Sequence, residues 1–128
     1  MQVPESSAKI LVVDDEPNIV VALEYLLQRE GYVVYKAYNG QQALETLHSL
    51  TPDIVILDVM MPGMDGFEVA RKMRNLPSLE CTKIIFLTAK GTERDKESGY
   101  ASGAEYYMIK PFDNDVFIST VNEIMAYG

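Results

Sequence analysis

The sequence predicts a doubly wound α/β fold, in which five parallel strands alternate with five helices in three layers. Short apolar runs rich in β-branched residues recur along the 128 residues, and each is followed by a longer segment with helical spacing of its apolar positions. Several of these runs are apolar at every position, as in strands that helices cover on both faces. Strands that alternate with helices imply right-handed crossovers and therefore a parallel sheet.

The first half of the chain predicts two strands and two helices. The first strand covers residues 9–13, and the helix after it has Pro17 in its first turn and Gly31 as its stop. A second strand of mixed polarity follows over residues 32–37. A shorter helix over residues 40–50 then ends before a proline, which punctuates the chain there.

The second half predicts three more strand–helix units. The third strand ends at Asp58, and a loop rich in methionine, proline and glycine leads from it to an amphipathic helix. The fourth strand ends near Thr88, and a polar helix over residues 92–102 follows it. The fifth strand ends at Lys110, and Asp113 is a suitable cap for the last helix.

The polarity of the strands predicts their order in the sheet. The first, third and fourth strands are apolar almost throughout and should be central, whereas the mixed second and fifth strands should lie at the edges. The arrangement that satisfies this pattern is a flavodoxin-like (βα)5 sandwich with the parallel strand order 2-1-3-4-5.

Length and composition indicate one domain that does not cross a membrane. We expect residues 1–7 to be a disordered lead-in and residues 8–128 to form the domain. No apolar stretch approaches the ~20 residues that span a bilayer, and no secretory signal is visible. Together with the lone Cys81, this favours a cytoplasmic protein that does not bind membranes.

The charge of the chain favours cations over nucleic acids as ligands. The formal net charge is −8, and such an acidic balance argues against direct nucleic acid binding by this segment. It favours cation binding wherever carboxylates converge. Zinc is a poor fit, because only Cys81 and His48 could supply sulfur or imidazole ligands.

Four predicted strands end in side chains that can carry chemistry. Asp14 and Asp15 follow the first strand, and the third, fourth and fifth strands end at Asp58, Thr88 and Lys110. The carboxyl ends of parallel strands meet at one edge of the sheet, which is where open α/β sheets bind ligands. We therefore expect these side chains to form one site.

Carboxylates on neighbouring strand ends need a positive charge between them. Two such charges ~4 Å apart repel by roughly 4 kcal/mol at an effective dielectric constant of ~20. A hard divalent ion with oxygen ligands fits best, so we expect Mg²⁺, with Mn²⁺ as a substitute. The predicted ligands are Asp14, Asp15, Asp58 and the backbone carbonyl of Met60.

The remaining groups suit a phosphoryl group attached to Asp58. Lys110 supplies a compact positive charge and Thr88 supplies a hydroxyl donor. Phosphoryl transfer needs mainly positioning and charge neutralisation, so Asp58 can serve as the nucleophile and form an aspartyl-phosphate.

Each of these residues also has an ordinary interpretation. Asp15 before Glu16 and Pro17 could be a helix cap, and Thr88 could simply be a β-branched strand residue. Lys110 could be a surface lysine, and Asp58 before a loop could serve turn chemistry. Tyr107, in the predicted fifth strand, could be a packed aromatic residue. The functional interpretation depends on the whole set lying at strand ends.

The motifs resemble those of the receiver domain of two-component response regulators, and are similar to the chemotaxis receivers. Residues 58–66 follow the family signature D-x-x-M-P-x-M-D-G, and Thr88-Ala89 and Lys110-Pro111-Phe112 follow two further motifs. Tyr107 stands at the position of the family's switch aromatic residue. The resemblance covers the chain from about Lys9 to Ala126.

The resemblance implies a signalling role rather than an enzyme with a diffusible substrate. A sensor histidine kinase or phosphotransfer protein would donate its phosphoryl group to Asp58 with Mg²⁺ required, and the domain would catalyse only its own phosphorylation and dephosphorylation. Thr88 would move toward the phosphoryl group and Tyr107 would turn inward. The face formed by the fourth helix, fifth strand and fifth helix would then change its binding to an output domain or to a second copy of the chain. The bond between Lys110 and Pro111 is typically cis in this family.

Two alternatives use a similar sheet. A haloacid-dehalogenase-like phosphatase also combines Asp, Thr, Lys and Mg²⁺, but its nucleophile and a second Asp two residues later lie on the first strand. A flavodoxin-like protein that binds FMN needs a hydroxyl- and glycine-rich phosphate loop after the first strand, where this chain has acidic residues.

Overall fold

The computed structural model describes residues 8–127, so the lead-in predicted for residues 1–7 lies outside the described part. The strands are β1 (Lys9–Val13), β2 (Val33–Ala37), β3 (Ile54–Leu57), β4 (Lys83–Thr88) and β5 (Tyr106–Ile109). The helices are α1 (Pro17–Arg29), α2 (Gly40–Leu47), α3 (Gly66–Arg74), α4 (Glu93–Ala101) and α5 (Asn114–Tyr127). A single 3-10 turn, Pro77–Leu79, lies between α3 and β4.

The five strands form one parallel sheet in the order β2-β1-β3-β4-β5, which confirms the predicted fold. The apolar strands β1, β3 and β4 are central, and the mixed strands β2 and β5 lie at the edges. In the register of the sheet, Val13 lies opposite Leu57, and Thr88 lies opposite Ile109. The strands therefore reach the carboxyl edge of the sheet nearly level with one another.

The alternation of strand side chains divides the core into two layers. Leu11, Val55 and Phe86 are buried on the face covered by α2 and α3. Their neighbours Val12 and Ile56 point to the opposite face, where they pack against α1 and α5. Both faces of the sheet are thus covered, as the continuous apolar runs predicted.

Helix ends follow local capping chemistry. The Asp113 carboxylate accepts hydrogen bonds from the backbone N–H groups of Asp115 and Val116, so Asp113 caps α5 as expected. Thr92 and Asp95 form a reciprocal capping box at the start of α4. Gly31 and Gly103 have positive φ angles and follow the ends of α1 and α4.

One local expectation is wrong, and one element was not expected. Helix α2 ends at Leu47 rather than at residue 50, because the chain tightens there and the His48 N–H reaches back only three residues, to the carbonyl of Glu45. The 3-10 turn was not predicted. Pro77 occupies its first position, where a missing N–H costs nothing.

Arg74, at the end of α3, joins several segments near the amino edge of the sheet. Its guanidinium donates hydrogen bonds to the carbonyls of Leu79 (3.1 Å), Thr82 (2.8 Å) and Gly103 (2.8 and 3.2 Å). It also forms an ion pair of 3.3 Å with Glu105. Arg74 therefore fastens the C-terminal end of α4 to the segment that precedes β4.

Among residues 8–127, no helix has both the length and the apolar character needed to span a bilayer.

Candidate functional site

The sheet brings the predicted strand ends together through its backbone hydrogen bonds. The N–H of Asp58 donates to the carbonyl of Val13 at 3.0 Å, which places Asp58 beside the end of β1. The N–H of Lys110 donates to the carbonyl of Thr88 at 2.8 Å, which places Lys110 beside the end of β4. Side chains more than 90 residues apart in sequence thereby meet at one edge.

Lys110 lies at the centre of the acidic groups. Its Nζ is 2.7 Å from Oδ2 of Asp14 and 3.7 Å from Oδ2 of Asp58. A longer contact of 3.8 Å joins it to Oε1 of Glu16. One largely buried ammonium group therefore faces three carboxylates.

Burial makes the Asp58 carboxylate costly to ionise. Asp58 is 4% exposed, and burial raises its pKa, as does the nearby charge of Asp14. The Lys110 ammonium, the Thr88 hydroxyl and the Met60 N–H act in the opposite direction without cancelling the rise. The Met60 N–H lies 3.4 Å from Oδ1 of Asp58.

The pKa of Lys110 moves in the direction that preserves its charge. Burial alone would lower the pKa, but the hydrogen bond to Asp14 and the charges of Asp58 and Glu16 outweigh it and raise the pKa above its ordinary value. Lys110 is therefore protonated throughout the neutral range.

A cleft of about 300 Å³ opens over this cluster. Its lining includes Asp15, Glu16, Asp58 and Met60, together with Lys110. Carboxylate oxygens of Asp14, Asp15 and Glu16 lie within 4.8 Å of one another at its edge. Four carboxylates against one ammonium leave negative charge in excess, and oxygen donors of this kind fit a hard divalent cation.

Glu16 is a member of the cluster that the sequence interpretation did not single out. The available signal was its position directly after Asp14 and Asp15. Glu16 occupies the capping position of α1, but no side-chain cap bond forms there. Instead, Oδ1 of Asp14 accepts a hydrogen bond from the Glu16 N–H at 2.9 Å, and Asp15 is left at the cleft, so the interpretation of Asp15 as a helix cap is wrong.

The loop that follows Asp58 depends on glycine for its close packing. A Cβ atom at Gly66 would lie 2.2 Å from the backbone oxygen of Asp58. This distance is too short for any residue with a side chain, so the position requires glycine. Gly63 has a φ angle of +79°, a region that favours glycine. Asp65 caps α3 by accepting a hydrogen bond from the Glu68 N–H at 2.9 Å. Two specified positions of the signature over residues 58–66, Asp65 and Gly66, thus have a structural explanation, as does Gly63 between them and Pro62.

Thr88 and Tyr107 both bind the backbone of Lys90. The buried Thr88 hydroxyl accepts a hydrogen bond from the Lys90 N–H at 3.3 Å, and the Tyr107 hydroxyl donates one to the Lys90 carbonyl at 2.6 Å. The Tyr107 ring is turned inward and is only 6% exposed. Burial raises the pKa of its phenol to about 12, and the charges of Asp95 and Asp58 act in the same direction.

The Lys90 side chain points away from the cleft. Its Nζ lies 3.4 Å from Oδ1 of Asp95 in the first turn of α4. Met60, by contrast, lines the cleft and is 55% exposed. The peptide bond between Lys110 and Pro111, at the other side of the site, is cis.

The family model of the response regulator receiver domain matches residues 10–122. Among solved structures, the chain is similar to the chemotaxis protein CheY4 of Vibrio cholerae, with a TM-score of 0.88 and 34% identity over 93% of this chain and 99% of the other. It is also similar to the signal receiver domain of a signal transduction histidine kinase from Syntrophus aciditrophicus, with a TM-score of 0.86 and 32% identity over 94% of this chain and 91% of the other. A two-component response regulator from Clostridium difficile gives a TM-score of 0.88 and 25% identity over 94% of this chain and 97% of the other.

Proposed function

The chain belongs to the response regulator receiver domain family, and on that basis we propose that it is a phosphorylation-activated signalling switch of a two-component system. In this proposal a sensor histidine kinase or phosphotransfer protein donates a phosphoryl group to Asp58. The observation that carries the proposal is the contact of the Lys110 ammonium with both Asp14 (2.7 Å) and Asp58 (3.7 Å) beneath an open cleft. For a tetrahedral dianion attached to Asp58, the Lys110 ammonium would offset part of the negative charge and the Thr88 hydroxyl would be a hydrogen-bond donor.

The chemical step needs no general base. One carboxylate oxygen of Asp58 attacks the phosphorus of a phosphohistidine and forms the new P–O bond, while the P–N bond breaks and its electron pair stays on the imidazole nitrogen. Lys110 stands close enough to Asp58 to contact the incoming phosphoryl oxygens. The Met60 N–H holds the other carboxylate oxygen in place.

The carboxylates suit a magnesium ion. Asp14, Asp15, Asp58 and the backbone carbonyl of Met60 would hold it, with Glu16 within reach of the same cluster. When bound, Mg²⁺ supplies positive charge that offsets the carboxylates and the phosphoryl oxygens.

Thr88 and Tyr107 connect Asp58 to the surface. The Thr88 hydroxyl accepts a hydrogen bond from the Lys90 N–H. A phosphoryl group on Asp58 attracts this hydroxyl and so alters the loop around Lys90, to which Tyr107 is also hydrogen-bonded. The loop leads into α4. The responding surface is the α4-β5-α5 face, on which Tyr100, Tyr106 and Val116 are exposed and available to an output domain or a second copy of the chain.

The two alternatives fit this chain less well. The family model that matches residues 10–122 is that of receiver domains, and the nucleophile proposed here follows β3 rather than lying on β1. An FMN phosphate placed after β1 would meet Asp14, Asp15 and Glu16, whose charges would repel it.

Phosphorylation by a small donor tests the proposal. With acetyl phosphate and Mg²⁺, intact-protein mass spectrometry should show one added phosphoryl group that hydroxylamine removes. Asp58→Asn should remain unmodified. The control Asp65→Asn changes an exposed residue seven positions after Asp58 and outside the cleft lining, so it should be modified like the natural chain.

Two results would contradict the proposal. Modification of Asp58→Asn to the same extent would place the phosphoryl group elsewhere. Release of many equivalents of phosphate per chain, without an accumulated phosphoprotein, would favour the phosphatase.

A further inference from the structure

Helix α4 has a glycine at its one buried position within the described residues, Gly99. Glycine is unfavourable inside a helix, because it loses more backbone freedom on folding than any other residue. The φ angle does not explain it, because the positive φ angles belong to other glycines. The reason must therefore be sought in what surrounds the position.

The Tyr107 ring occupies the space that a side chain at position 99 would need. A Cβ atom built on Gly99 would lie 2.5 Å from Cδ2 and 2.8 Å from Cε2 of Tyr107. Both distances are far below the ~3.5–4.0 Å at which carbon atoms normally touch. The next nearest atom, Cδ2 of Phe86, would lie at 3.3 Å and needs only a small adjustment.

Two contacts prevent the Tyr107 ring from making room for a side chain at residue 99 by a small shift. Its hydroxyl is bonded to the Lys90 carbonyl at 2.6 Å, and the buried Phe86 ring packs against it with centroids 5.7 Å apart. The close-packed core leaves no free volume behind it. A methyl group on residue 99 would therefore displace the ring toward solvent.

We propose that Gly99 is the positioning residue that allows Tyr107 to take its inward position, and that a side chain at residue 99 would hold Tyr107 outward and uncouple the α4-β5-α5 face from Asp58. This inference rests on the proposed function for its signalling consequence. The effect on the ring position itself is independent of phosphorylation. Gly99 lies outside the cleft lining, so phosphoryl uptake at Asp58 should survive its substitution.

The test follows Tyr107 by ¹⁹F NMR after incorporation of 3-fluorotyrosine. The chain has eight tyrosines, and the resonance of Tyr107 is identified by its loss in Tyr107→Phe. Its H₂O/D₂O isotope shift reports exposure to solvent, with Tyr25, which is 61% exposed, as the internal reference. In Gly99→Ala the isotope shift of Tyr107 should rise to the value of Tyr25 and stay there after acetyl phosphate and Mg²⁺ are added.

Ser98→Ala is the matched control, because it changes the adjacent residue of α4 by a comparable amount and should leave the Tyr107 resonance in place. An unchanged isotope shift for Tyr107 in Gly99→Ala would overturn the inference. If Gly99→Ala does not fold, the double variant Gly99→Ala/Tyr107→Leu decides: a folded double variant identifies the ring as the obstacle and supports the inference, whereas an unfolded one overturns it.

The two proposals can fail separately. Absence of phosphoryl uptake by the natural chain would contradict the proposed function, while the isotope shift without any phosphodonor would still test the role of Gly99. A displaced ring in a Gly99→Ala variant that accepts one phosphoryl group supports both.

Discussion

Replacing Asp58 with asparagine should make the fold more stable. Asp58 is 4% exposed and lies next to the buried Asp14, which is 2% exposed. Asparagine keeps nearly the same shape but removes the charge. The variant therefore separates two effects of the Asp58 charge: its use in phosphorylation and its cost to the stability of the fold.

The magnitude follows from the distances around Lys110. Losing the attraction between Lys110 and Asp58 at 3.7 Å costs about 4.5 kcal/mol at an effective dielectric constant of ~20. Because Lys110 Nζ also lies 2.7 Å from Asp14, the two carboxylate oxygens are at most about 6.4 Å apart, and their repulsion, of at least about 2.6 kcal/mol, disappears. The remaining deficit of about 2 kcal/mol is smaller than the several kcal/mol that desolvation of a buried carboxylate costs. We expect Asp58→Asn to raise the free energy of unfolding by about 1–3 kcal/mol at pH 7.

The increase in the free energy of unfolding that Asp58→Asn gives should shrink as the pH falls. The pKa of Asp58 in the folded protein is raised above its ordinary 3.8, so the ionised carboxylate destabilises the fold at every pH above the folded pKa. This penalty fades as the pH falls through the raised pKa and is absent below 3.8. The difference between Asp58→Asn and the natural chain should therefore be full at pH 7 and vanish in acid.

Urea denaturation followed by far-UV circular dichroism measures this difference, since the chain has no tryptophan to report by fluorescence. A chelator keeps divalent ions out of the cleft. Asp65→Asn is the control, because asparagine caps a helix as well as aspartate does and the side chain is exposed. A stability gain that is absent at pH 7, or that persists unchanged below pH 3.8, would refute the reasoning.

Three further predictions follow from other contacts. Arg74→Ala should lower the free energy of unfolding by about 2–4 kcal/mol in urea, because it leaves carbonyls without donors, whereas the exposed Arg71→Ala should change it by no more than about 0.5 kcal/mol. Asp15→Ala should weaken Mg²⁺ binding at least about tenfold, or about 1.4 kcal/mol, by titration calorimetry, and unchanged affinity would remove Asp15 from the ligand set. Met60→Asn should shorten the lifetime of the phosphoprotein several-fold, because it places an amide that can hold water over the cleft, while Lys90→Ala, whose side chain faces Asp95, should change it less.

The sequence predicted the sheet and the placement of the strand ends because the signals are local and repeated. Each central strand is an apolar run that stops at a polar residue, as with Val13 before Asp14 and Leu57 before Asp58. A parallel sheet then has no other way to arrange those ends than at one edge. The separate roles of Asp58, Thr88 and Lys110 stay predictions that phosphorylation experiments must test.

Contacts between distant segments were beyond sequence reasoning. Arg74 has the pattern of an ordinary basic residue in the last turn of a helix, and its partners Thr82 and Gly103 carry no sequence signal for it because their backbone carbonyls make the bonds. Gly99 is hidden for a similar reason: the atom that makes it necessary belongs to Tyr107 on another element. Glu16 could have been predicted as a member of the cluster, since it directly follows Asp14 and Asp15 in the sequence.

Helix α4 is fastened differently at its two ends. Arg74 holds its C-terminal end through the carbonyl of Gly103, whereas its N-terminal end follows the loop that Tyr107 binds at Lys90. The nine residues of α4 make a rod about 13 Å long, so a tilt of about 10° about the Arg74 end moves the other end by about 2 Å. A tilt of this kind would leave the Arg74 end nearly in place and would be largest at Thr92, at the end of α4 that follows the loop of Lys90.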